Sequence, residues 1–181
     1  MAIGNFPSCL DAVWQFDGIK NDSAPGERFI TTWGITEMTY DEAIREHVIA
    51  PHPQALATPD DAKAILKAMY WNKCRCDELP LGVDLMTFNM AMLGGNVSAI
   101  KVLQQSLSVA ADGTIGKITL GALTTNAPMN VIKLQYLYDL NHLRSLRNWS
   151  QFANGWTRRE NVMVGLARKM ASEAPIAPAT V

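Results

Sequence analysis

From Val83 to Leu93 the chain reads VDLMTFNMAML, broken only by Asp84, Thr87 and Asn89. Wound into a helix, this stretch is apolar on nearly every side. Such a helix has no face to give to water and has to be wrapped by other elements. Gly94-Gly95 stops it. The segment predicts a mainly α fold built around one central, buried helix.

Other helices can be read on both sides of it. Ser8 is placed to cap a first helix, with Leu10, Val13 and Trp14 at helical spacing, running out near Asp17-Gly18. Thr39 with Glu42 three residues later has the form of a capping box. Thr58 as cap, Pro59 at the first helical position and Asp60-Asp61 in the first turn start another helix, with a stripe of Ala62, Ile65, Leu66, Met69 and Tyr70. Pro51-His52-Pro53 and Leu79-Pro80 are breaks. Further helices are expected at about 97–107, 116–125, 129–147 and 156–172. Between Gly18 and Thr36 the pattern changes to Gly, Pro, Asn and Asp, followed by the β-prone run Phe29-Ile30-Thr31-Thr32-Trp33. This predicts a loop and one short β-hairpin near residues 20–35.

The chain has 181 residues, 48% of them apolar, enough to bury a sizeable core in a domain of ordinary size. Its net charge of −1 argues against a broad footprint for nucleic acid. Cys9, Cys74 and Cys76 are too few and odd in number for a disulfide framework, and reduced thiols are expected. Cys74 and Cys76 with His47 and His52 lack the usual zinc spacing, so no metal site and no cofactor are expected. The N-terminal MAIGNFPSCLDAVWQF does not read as a secretory signal, and no run is long enough for a transmembrane helix. A monomer made in a cytoplasm, without membrane insertion, is the expectation.

The stretch WQFDGIKNDSAPGERFITTWGIT, residues 14–36, collects carboxylates just after the first helix. Taken alone, Asp17 before Gly18 reads as a turn residue, Glu27 as a solvated charge and Thr31 as a strand former. The wider pattern resembles the glycoside hydrolase 108 family of phage endolysins and bacterial muramidases. That family's motif has the form E-G-G-[FY]-V-N-x-P-x-D-x-G-G-x-T-x-x-G-I-T. Aligned on Gly34-Ile35-Thr36, it places Asp17 on the family's Glu, Gly18 on its first Gly and Thr31 on its Thr. Gly26 falls on its Asp, with Glu27 one residue later; Ile19 and Arg28-Phe29 replace its other glycines. Tyr40, Tyr70-Trp71, Leu79-Pro80 and Gly82-Val83-Asp84 also resemble the family's pattern. Leu103-Gln104, Asp112-Gly113-Thr114-Ile115-Gly116 and Gly155-Trp156 with Arg159 resemble a region commonly fused to it and predicted to bind peptidoglycan.

The resemblance implies a lysozyme-like fold, with residues 1–78 as its catalytic part. Residues 79–174 would be a helical part resembling the peptidoglycan-binding region, packed into one compact unit, and 175–181 a frayed tail. It implies Asp17 as general acid, Glu27 as second carboxylate and Thr31 as holder of the attacking water. Trp33, Asp22 and Tyr40 are the residues expected to meet substrate. Trp33, Trp71, Trp149 and Trp156 are weighed as sugar-stacking or core residues, with core favoured. Arg158 and Arg159 are expected on a solvated helix face. The implied function is peptidoglycan hydrolysis by an N-acetylmuramidase, most naturally a phage endolysin reaching the wall through holin-type release. The alternative is a catalytically impaired wall-binding or virion structural protein on the same fold.

Overall fold

The computed structural model describes residues 3–17 and 31–173. Among these residues there are eight α-helices: α1 (Phe6–Asp17), α2 (Glu37–Arg45), α3 (Pro59–Leu66), α4 (Val83–Gly94), α5 (Asn96–Ser106), α6 (Lys117–Thr125), α7 (Pro128–Ser145) and α8 (Trp149–Glu173). Two short strands, β1 (Thr31–Thr32) and β2 (Ile35–Thr36), pair antiparallel with Thr32 opposite Ile35. The expected hairpin therefore occupies residues 31–36, and the rest of the 20–35 range lies outside the described residues. The fold is mainly α, as the sequence predicts.

Helix α4 is the axis of the molecule. Val83 to Ala91 are all buried, and α1, α5, α7 and α8 pack around it. Its start is fixed by Gly82, which has φ +85° and lies so close to α8 that a Cβ would collide with the Ala167 carbonyl. Asp84, fully buried, accepts the Gly82 and Leu85 N–H groups at 2.7 and 2.8 Å and the Asn5 side-chain amide at 2.6 Å. This ties the start of α1 to the start of α4.

Helix starts follow local chemistry. Thr58 caps α3 as expected, and Asp61 completes a reciprocal capping box with it. At α2 the cap is Thr36 rather than Thr39: Thr36 Oγ1 accepts the Thr39 N–H at 3.3 Å. The hairpin delivers the chain into the helix three residues earlier than sequence spacing suggests. Helix α1 begins at Phe6, with Pro7 in its first turn, so Ser8 is an exposed helical residue and not a cap. Helix α8 begins at Trp149, seven residues before the expected start.

Cys9, Cys74 and Cys76 are buried free thiols. Arg159 corrects the expectation of a solvated face: it is 4% exposed, and Glu160 beside it is fully buried. Asn89 joins them, accepting from Arg159 Nε and donating to Glu160 Oε1, both at 2.6 Å.

Candidate active site

Asp17 is the last residue of α1. Trp14 and Phe16, both half-buried against the core, sit on the turn that precedes it.

The hairpin is brought to this end of α1 by an aromatic contact. Trp33 and Trp14 have ring centroids 5.7 Å apart at 42°. Trp33 and Gly34 are the two turn residues, and both have positive φ, +58° and +73°. That is the mirror-image turn that matches strand twist in a two-residue hairpin loop. Glycine accepts it freely, whereas a bulky tryptophan does so at a cost of order 1 kcal/mol or more. Packing on Trp14 compensates this strain. The contact sets the hairpin turn against the last turn of α1. Trp33 is half-buried, so part of its ring remains open.

A groove of about 310 Å³ opens beside β2 and α2, with Thr36, Thr39, Glu42, Tyr70, Lys73 and Asn96 among its walls. Its hydroxyls form a chain: Thr36 Oγ1 lies 3.1 Å from Thr39 Oγ1, which lies 3.3 Å from the Tyr70 hydroxyl. Lys73 is held by Glu42 at 2.9 Å and Glu46 at 3.2 Å. Asn96 donates to the Met69 carbonyl at 2.8 Å. A mixed wall of hydroxyls, an amide and apolar carbons is suited to a sugar, whose rings carry both kinds of surface. Sequence reading takes Thr39 only as a helix cap and does not single out Asn96 or Lys73. Their convergence depends on the joint between α4 and α5 lying beside α2.

The structure distributes the expected site residues unevenly. Asp17 is the last residue of α1, Thr31 the first of β1, and Trp33 packs on Trp14 in the last turn of α1. Asp22 and Glu27 lie outside the described residues. Tyr40 is corrected: it is 2% exposed and its hydroxyl is engaged by His52 Nδ1 at 2.8 Å. It steadies α2 from beneath and has no surface to offer a substrate. His52 also meets Asp61 at 3.3 Å, so the His/Cys grouping weighed as a zinc site is dispersed. Among the described residues no three His, Cys, Asp or Glu side chains converge as a metal site would require.

A buried carboxyl pair lies between α7 and α8. Asp139 and Glu160 are both fully buried. Burial pushes the Glu160 carboxyl up to about 7, against the opposing effects of the Asn89 hydrogen bond and the Arg159 charge. Burial, reinforced by the charge of Glu160, holds Asp139 well above the usual carboxylate range. The pair reaches the α1 end through Arg159, whose guanidinium lies 6.0 Å from the Phe16 ring centroid.

The glycosyl hydrolase 108 family matches residues 17–95, a span that begins at the end of α1 and closes just after α4. Among solved structures, that of Brucella abortus SagA is 30% identical, covers 96% of this chain and 99% of that one, and superposes with a TM-score of 0.84. No curated protein matches.

Proposed function

Since the chain belongs to the glycosyl hydrolase 108 family, we propose that it hydrolyses the glycan strands of bacterial peptidoglycan as a lysozyme-type N-acetylmuramidase. The observation that carries this reading is the position of Asp17, at the C-terminus of α1 and beside the hairpin clamped by Trp14 and Trp33. Asp17 protonates the leaving glycosidic oxygen. Glu27 stabilises the positive charge that develops on the sugar, or activates water. Thr31 positions that water, Trp33 forms one wall of the cleft, and Asp22 binds the substrate. The protein acts at the cell wall as a phage-type endolysin, delivered by a holin-type release.

A second reading has its own observation. The family's acid is Glu, and Asp17 is shorter by one methylene, setting the proton back by about 1 Å, a displacement that can lower rates by about 100-fold. On this reading the chain binds the wall without cutting it well.

The deciding experiment is incubation of the purified protein with peptidoglycan, following turbidity and product masses. New reducing ends at N-acetylmuramic acid establish the muramidase. Retention on peptidoglycan with no new ends gives the site to the second reading.

A further inference from the structure

Helices α4, α7 and α8 enclose a group of polar side chains in an otherwise apolar interior. Thr87 and Asn89 come from α4, Gln135 and Asp139 from α7, and Arg159 and Glu160 from α8, and all six are buried. The Gln135 amide donates to Thr87 Oγ1 at 2.8 Å, while the Asn89 side chain bridges Arg159 and Glu160. The group is short of donors. Both Asp139 oxygens and Glu160 Oε2 are buried with no hydrogen-bond partner among the described residues. Bare acceptors in an interior cost free energy, and a proton on one carboxyl supplies a donor that they lack.

The charges lead to the same state. With one proton shared by Asp139 and Glu160, the interior holds one cation, Arg159, and one carboxylate. With none it holds one cation and two anions, which surroundings of low dielectric penalise. Among the described residues, the charged groups that act on Glu160 and Asp139 are Arg159 and the two carboxyls themselves; α4 brings the neutral Asn89. Burial raises both carboxyls, in accord with a proton retained on the pair.

Arg159 connects this interior to α1. Helix α1 packs on α8, and the Arg159 guanidinium lies 6.0 Å from the ring centroid of Phe16, the residue before Asp17. At the opposite end of α1, Asn5 meets Met170 of α8. The last turn of α1 thus rests on α8 at a cation whose charge balance depends on a proton one side chain away.

We propose that Arg159 is a positioning residue for the end of α1, and that the Asp139–Glu160 pair controls it. With one proton on the pair, α8 holds Arg159 against Phe16. With both carboxyls ionised, their repulsion loosens α7 from α8 and the last turn of α1 loses its support. The effect on cleavage rests on the hydrolase reading, with Asp17 as the acid. The effect on α1 does not.

The test therefore begins without cleavage. Amide hydrogen exchange, corrected for its intrinsic pH dependence, is followed in the full chain carrying Asp17→Asn, so that residue 17 does not titrate. Between about pH 6 and pH 8, protection in the last turn of α1 should fall by up to about tenfold, while α3, which lies outside the polar group, keeps its protection. Adding Glu160→Gln should remove most of the fall. Phe16→Leu should leave the pH dependence of Tm in place but make exchange at the end of α1 fast and independent of pH. Should Glu160→Gln not fold, Asp139→Asn answers the same question. With Asp17 restored, kcat should fall over this interval more than KM rises, and Glu160→Gln should keep more of its kcat at the upper end.

Equal loss of protection in α1 and α3 overturns the proposal, since the pair would then act on overall stability alone. A pH dependence at the end of α1 that survives both Glu160→Gln and Phe16→Leu also overturns it. If the protein cuts peptidoglycan but neither exchange nor kcat responds to Glu160→Gln, the positioning role fails and the hydrolase reading stands. If it cuts at no pH but exchange responds as expected, the hydrolase reading fails and the positioning role stands.

Discussion

Asn89 donates its side-chain amide to Glu160 at 2.6 Å in an interior from which both residues are fully excluded from solvent. The bond joins α4 to α8, two helices 71 residues apart at this contact. It also fixes how that interior responds to protons.

Glu160 has its folded-state value raised to about 7, whereas an unfolded glutamate titrates near 4.3. Between those values the folded protein holds a proton that the unfolded chain has released. Stability from this group is therefore full below about pH 4.3 and is lost as pH rises through about 7. The raised Asp139 acts with the same sign. Surface carboxylates shifted downward, such as Asp61 and Glu78, act in the opposite sense at lower pH, below this window. Thermal unfolding between pH 5 and 7.5 should show Tm falling as pH rises. Glu160→Gln, which can still accept from Asn89, should flatten that slope. A Tm that rises across the same interval would refute the assignment.

Gly82→Ala should destabilise the protein by more than about 1 kcal/mol, since it adds the penalty of a left-handed backbone to a clash with α8. Equilibrium denaturation is the measurement. Gly95, also at positive φ but with open space around its Cβ position, should show only the backbone penalty when changed to Ala.

The three thiols should be silent in the native state. Burial pushes Cys74 up to about 12 and holds Cys9 and Cys76 well above the usual thiol range. The thiolate is the reactive form, so a thiol reagent at pH 8 should modify none of them until denaturant is added. Rapid labelling of any cysteine under native conditions would contradict the packing around α1 and α4.

Asp17→Asn should lower peptidoglycan cleavage by at least about 100-fold, the lower range for general acid–base catalysis. Its Tm should remain close to that of the unmodified chain, because a helix-end carboxyl of this kind adds little to stability. Asp17→Glu restores the family's residue and should retain cleavage. Equal cleavage by Asp17→Asn and the unmodified chain would transfer the acid's role to Glu27 or Asp22.

The features legible in the sequence are those decided over a few residues. The wrapped helix α4 is visible because apolar residues recur on all its sides, and the start of α3 because Thr58, Pro59 and Asp61 carry the whole cap between them. Thr36 and Thr39 show the limit. Either can cap a helix, their hydroxyls even touch, and only the hairpin entering α2 makes Thr36 the cap. The start of α8 was hidden because Gly155 interrupts an aromatic series that is nonetheless spaced for one helix face. Arg159 was illegible for a different reason. A helical arginine next to another arginine reads as solvated, and its burial depends on Asn89, 70 residues earlier. At the candidate site, Asp17 and Thr31 could be named from a motif, whereas the groove beside Tyr70 and Asn96 forms only when α2 meets the start of α5.

The antiparallel register of α1 on α8 also makes the first described helix conditional on the last. A chain lacking α8 has no Arg159 beneath Phe16 and no Met170 beside Asn5. Removal of α8 therefore takes away the surface on which α1 is aligned, and the position of the end of α1 is settled by residues some 140 positions further along the chain.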